Sequence, residues 1–133
     1  MILKNNTVYY SIKFRTFSFS SLNYLYDAFY DTQKKKIIPT NISSLLTKKA
    51  FAIWFMDHGG KSGNCITIST ESFVYSQMCL LQKAIFEKFS LKCTIQKHKD
   101  KHVLYFAKND IPAFSDLLKP YLLDCMLYKL NFQ

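Results

Sequence analysis

The chain has 133 residues, 49% hydrophobic and 20% charged, which is one ordinary domain with a real core rather than a disordered tail. Lysines and arginines number 18 against 9 acidic residues, and the net charge of +9 points to a polyanionic partner, nucleic acid before an anionic membrane face. The longest apolar run, Ala50 to Met56, is too short to cross a bilayer, and the start MILKNNTVYY carries neither a secretory nor an Arg-rich transit pattern, so no membrane is expected.

From Val8 to Phe17 the chain alternates. Val8, Tyr10, Ile12 and Phe14 share one side, and Tyr9, Ser11, Lys13 and Arg15 the other, which predicts a half-buried strand with a basic outer face. Ser20 or Ser21 can cap a short helix carrying Leu22, Leu25, Tyr26 and Phe29. A basic loop follows, Lys34, Lys35 and Lys36, and then Ile37, Ile38 and Pro39. Thr47 is a suitable N-cap for an apolar helix over residues 48–58. Ile66 and Ile68 alternate with Thr67 and Ser69 in a strand. Ser72 is expected to start a helix with Met78, Leu81, Ile85 and Phe89 on one face. Lys92 to Lys97 and Val103 to Lys108 read as a hairpin turned by Lys99, Asp100 and Lys101, and the tail from Ile111 as short helices broken at Pro120. The order predicts an α+β fold, an antiparallel sheet with helices packed on one face. The other face carries Thr67, Ser69, Lys92, Thr94, Gln96 and His98, a polar and basic surface suited to base edges and phosphates.

The cysteines, Cys65, Cys79, Cys93 and Cys125, form no C-x-x-C pair and no zinc spacing, so they are expected as buried free thiols in a reducing compartment. The abundance of Phe, Tyr, Ile, Lys and Asn, residues written by A/T-rich codons, favours an organellar genome, mitochondrial for preference.

Residues 50–60 read AFAIWFMDHGG: an apolar helix end, then His58, then a sharp exit through Gly59 and Gly60. This stretch resembles the signature helix of the LAGLIDADG homing endonucleases. The resemblance continues through KKKIIPTNISSLLTKKAFAIWFMDHGG, ISTESF, FEKFSLKCTIQKHKDKHVLYF and LLKPYLLDCMLYKL, in that order over residues 34–130. It implies a half-domain of that fold over residues 47–133, the second half of a two-motif member, with residues 1–46 as a remnant of the first half. In that family the residue before the first glycine is an aspartate that helps hold divalent cations, and here it is His58. Magnesium prefers hard oxygen ligands, so imidazole is a poor replacement. Asp57 lies one residue earlier, about 100° around a helix. By motif match, Lys36 and Lys129 take the places of the family's active-site lysines.

The resemblance therefore leads to an expectation of a protein that is not an enzyme and holds neither metal nor cofactor. It would be a catalytically inactive, domesticated binder of nucleic acid, RNA before DNA, in an organellar ribonucleoprotein such as the mitochondrial ribosome or a splicing maturase. The alternative is one part of a split, magnesium-dependent DNA endonuclease. The binding residues expected are Lys13, Arg15, Lys34, Lys35, Lys36, Lys61, Thr67, Ser69, Lys92, Thr94, Gln96, Lys97, His98, Lys99, Lys101 and Lys129. Neighbouring proteins, rather than a second copy, are expected to cover the helix 48–58 through Ala52, Trp54, Phe55 and Met56.

Overall fold

The structure is a computed structural model that describes residues 2–4, 7–70 and 72–130. Two short strands, β1 (Ile2–Lys4) and β2 (Thr7–Tyr9), pair antiparallel at the start. Helices α1 (Asn23–Phe29) and α2 (Ile42–Leu45) follow, then α3 (Lys48–His58). The rest runs β3 (Gly59–Ser62), β4 (Cys65–Ser69), α4 (Tyr75–Phe89), β5 (Thr94–His98), β6 (Lys101–Phe106) and α5 (Ile111–Leu118). A mixed helix and antiparallel-sheet fold is what the sequence predicts.

Helix α3 occupies the predicted span. The Thr47 hydroxyl accepts the Ala50 N–H at 3.0 Å, satisfying a donor that the first turn leaves orphaned. Phe51, Ala52 and Phe55 are fully buried on its inner side. At the far end the Gly59 N–H closes the last turn on the Phe55 carbonyl, and the chain leaves extended. A glycine is needed there for closeness rather than for its torsions: a Cβ on Gly59 would lie 2.0 Å from Phe55 Cδ2.

The main sheet has the order β3-β4-β6-β5, all antiparallel. Ile66 and Ile68 of β4 and Leu104 and Phe106 of β6 are fully buried beneath α3, α4 and α5. The alternation read from the sequence in Ile66 to Ser69 thus becomes an inner and an outer face. The core is aromatic at its centre. Phe51 stacks on Phe89 with ring centroids 5.5 Å apart, and Phe114 meets Phe55 and Phe106 edge-on at 5.0 and 4.8 Å. Such pairs contribute about 0.5–1.5 kcal/mol each beyond their buried area. Ile38, Ile42 and Leu46, on the N-terminal side of the boundary expected at residue 46, join the same core.

Several expectations change. The strand expected over Val8 to Phe17 stops at Tyr9, and the residues from Tyr10 to Phe19 have no regular structure and are exposed. Nothing among the described residues pairs with them, so their alternation has no surface to bury against. Neither Ser20 nor Ser21 caps a helix, because the Ser20–Leu22 turn and α1 start without a side-chain cap. Helix α4 begins at Tyr75, not at Ser72, after a turn closed by the Phe73 N–H on the Thr70 carbonyl. Of the four thiols only Cys93 is buried; Cys65 is half-buried, and Cys79 and Cys125 are exposed. The outer side of α3 is not the one expected. Ala52 and Phe55 are inside, Trp54 and Met56 are partly covered, and Ala50 and Ile53 are exposed, Ile53 by 53%. The reason is register: the core claims positions 51, 52 and 55, which turns 50, 53 and 57 outward.

Candidate nucleic-acid interface

Strand register places the outer-face residues in rows. Thr94, Tyr105, Thr67 and Gly60 stand side by side across the four strands. Gln96, Val103 and Ser69 form the next row, and His98 pairs with Lys101 beyond it. Cys65 and Ser62 close the other end. None of the four strands contains an Asp or Glu. A sheet face free of carboxylates, with hydroxyl, amide and imidazole groups in rows, can offer hydrogen bonds to bases without repelling phosphates.

Thr67, Ser69, Thr94, Gln96 and His98 are brought together on this face as expected from alternation, Lys92 is exposed just before β5, and Lys101, expected in the turn, instead opens β6 and joins the face opposite His98. Two expected residues face the other way. Lys97 pairs with His102, whose ring packs against Tyr75 of α4 at 5.4 Å, so Lys97 belongs to the helix side. Lys61 pairs with Ile66 and shares that side. Lys99 sits in the turn with φ 56°, and Lys34 in its own turn with φ 60°. The Asp31 carboxylate shapes the second turn by accepting the N–H groups of Gln33 and Lys35 at 2.8 and 2.9 Å. Lys35 is exposed beside it, and Lys13 and Arg15 lie on the exposed segment after β2.

Sequence reasoning missed Cys65, Val103 and Tyr105. The Tyr105 hydroxyl donates to Cys65 Sγ at 2.7 Å, and this bond holds the phenol above the ordinary tyrosine range. Counting outward from the buried Leu104 and Phe106 by alternation would have found the two β6 residues.

At the end of α3, the Asp57 and His58 side chains meet. His58 Nδ1 lies 2.9 Å from Asp57 Oδ2, and the side chains are 46% and 75% exposed. Lys36 and His58 line one cavity of about 650 Å³, together with Tyr30, Ile38, Ala50 and Trp54. Ala50, Trp54 and His58 recur every four residues, so one stripe of α3 faces this space. Lys129 is elsewhere: it bonds the Met56 and Gly59 carbonyls. A divalent cation of the kind the resemblance implies needs several hard oxygens. Here one carboxylate is present, already paired with an imidazole. No group of three His, Cys, Asp or Glu side chains comes together among the described residues. These residues alone do not fit that ion.

The comparisons with known proteins agree on the family. The model of the LAGLIDADG DNA endonuclease family matches residues 2–114. The intron-encoded endonuclease ai4 of Dictyostelium discoideum is 37% identical, over 91% of this chain and 77% of its own length. The cytochrome b mRNA maturase bI2 of Debaryomyces hansenii is 30% identical, over 98% of this chain and 50% of its own. The solved structure of the homing endonuclease I-WcaI bound to its DNA recognition sequence superposes with a TM-score of 0.82 at 29% identity, over 89% of this chain and 55% of that one. The expectation of a protein that is not an enzyme is overturned here, since relatives this similar are named as endonucleases.

Proposed function

Because the chain belongs to the LAGLIDADG DNA endonuclease family, we propose that it is one part of a DNA endonuclease of the intron-encoded type, and that its outer sheet face holds the duplex. The observation that carries this is the acid-free four-stranded face beside the signature helix, in a fold shared with an endonuclease bound to its DNA. Thr67, Ser69, Thr94, Gln96 and Tyr105 offer groups to base edges, while Lys92, Lys101 and the lysines of the two turns meet phosphates.

Cleavage belongs to an assembly in which a second helix of the signature type covers Ala50, Ile53 and Trp54. Two facts support this. Ile53 is exposed in the middle of an apolar helix, and the match to the solved endonuclease extends over only 55% of that protein. In the assembly α3 brings Asp57 and His58 to the seam, with Lys36 across the cavity. Names such as intron-encoded endonuclease and cytochrome b mRNA maturase favour an origin in an organellar intron.

Duplex binding measured against salt tests the proposal. Each phosphate neutralised contributes about −0.9 to the log–log slope. Lys92→Ala should weaken all duplexes alike and make the slope shallower by about 0.9, whereas Gln96→Ala should alter sequence preference. Binding that ignores salt would overturn the sheet-face reading. In magnesium buffer the assembled protein should cut members of a duplex library and Trp54→Asp should abolish cutting; duplexes left intact by the wild-type assembly would overturn the cleavage role. A second reading, RNA binding as a maturase, is favoured by the 30% identity to a named mRNA maturase over 98% of this chain. Competition between duplex DNA and intron RNA separates the two.

A further inference from the structure

The resemblance to homing endonucleases assigns Lys129 to the phosphate, but its surroundings point to another task. Helix α3 ends with carbonyls that have no partner within the helix. The Gly59 N–H takes the Phe55 carbonyl, which leaves Met56 next in line. Lys129 Nζ donates to the Met56 carbonyl at 2.5 Å and to the Gly59 carbonyl at 2.8 Å, from a half-buried position. Its head also lies 5.9 Å from the centre of the Phe55 ring.

We infer that Lys129 is a positioning residue that clamps the two main-chain carbonyls bracketing the Asp57–His58 pair, and is not a phosphate ligand. Three features support this. The cation stands at the negative end of the helix dipole, where positive charge is favoured. Two of the three N–H donors of the ammonium are already used on the protein. The segment that carries it is fastened independently: Leu122 is buried, Leu127 and Leu130 pack on the core, and the Leu123 N–H reaches Met56 Sδ at 3.4 Å. The tail thus fixes Lys129, and Lys129 fixes the angle at which α3 hands Asp57 and His58 to the seam. The inference rests on the proposed DNA binding only for its last measurement.

The test compares the full chain with Lys129→Met, which keeps the apolar stem, and Lys129→Arg, which keeps the charge. Three quantities are read: the thermal midpoint, the His58 imidazole resonances by NMR, and the salt slope of duplex binding. The expected result for Lys129→Met is a midpoint lower by roughly 4 °C or more, displaced His58 resonances and an unchanged salt slope. Lys129→Arg should recover part of the midpoint and return the resonances toward wild type, and it carries the test if Lys129→Met does not fold. Unmoved His58 resonances in both variants would overturn the inference. So would a slope shallower by about 0.9 with an unchanged midpoint, the signature of a lost phosphate contact. If the protein bound no duplex at all, the proposed function would fall while the first two measurements still decided the role of Lys129.

Discussion

Two stretches of this chain alternate apolar and polar residues, and they end in opposite states. In β4, Ile66 and Ile68 are fully buried, and the strand is paired on both sides. In the segment after β2, Ile12 is 95% and Phe14 87% exposed, and no strand forms beyond Tyr9. The local pattern is equally good in both. What differs is the neighbourhood: β4 has β3, β6 and helix α3 to meet, while the residues from Tyr10 to Phe17 pair with no strand among the described residues and stay exposed. Period-two patterning says which side would be buried, and the rest of the fold decides whether anything is.

Substitutions at matched positions break or sharpen that contrast. The largest effect is expected at the centre of β4. Ile68→Ala should cost about 2–5 kcal/mol, since it leaves a cavity under the helices. Ile12→Ala should stay within about 0.5 kcal/mol of wild type, as an exposed site does. Urea unfolding of both variants measures the pair, and similar losses would mean that the Tyr10–Phe19 segment is buried after all. Next comes Gly59, which pairs with Ile68. Gly59→Ala drives a methyl against Phe55 and should cost about 1–3 kcal/mol, whereas Gly60→Ala meets nothing within 4 Å and is expected to cost less.

The two proposed helix caps form a smaller pair. Thr47→Ala should cost about 1 kcal/mol because its hydroxyl accepts the Ala50 N–H, while Ser20→Ala should cost nearly nothing because no such bond exists. Thermal midpoints of the two variants are the readout.

At neutral pH the smallest effect concerns the thiols. Burial, then the nearby Asp110 charge, pushes Cys93 up from 9.0 to about 12. The folded state therefore holds this proton longer than the unfolded chain does. Its contribution to stability is complete below pH 9 and is lost as pH rises toward 12. Denaturation midpoints should fall through that window, and Cys93→Ala should flatten the fall. In the native protein a thiol reagent should label the exposed Cys79 and Cys125 quickly and Cys93 only on unfolding.

Much of this was legible beforehand, for physical reasons. The Thr47 cap and the glycines after His58 bound α3, because a capping hydroxyl and an exit without a Cβ are local signals. Hairpin β5–β6 was readable from its turn at Lys99 and Asp100, although β5 begins at Thr94 rather than Lys92 and β6 runs over Lys101–Phe106 rather than from Val103 to Lys108. Three things were not readable. The face of α3 that the core selects is a tertiary choice, since apolar residues occur nearly all round this helix, at Ala50, Ile53 and Trp54 as well as Phe51 and Phe55. The phase of Lys97 is set by its pairing with His102 across the hairpin and not by its own charge. Lys129 finds its two carbonyls about 70 residues back in the chain, at a distance no motif spacing encodes.

The left-handed backbone at Lys34 and Lys99 has a consequence for how this surface can change. That conformation costs a side-chain-bearing residue about 1–2 kcal/mol, and glycine or asparagine would sit there with less strain. Both turns carry lysine instead, so each holds a cation at its tip against the preference of its own backbone. Lys34→Gly or Lys99→Gly would therefore exchange charge for relief of strain: a turn at ease with its backbone, a weaker field at the tip. A variant library sorted for heat resistance would drift toward glycine at these two positions, and one sorted for grip on a polyanion would hold lysine.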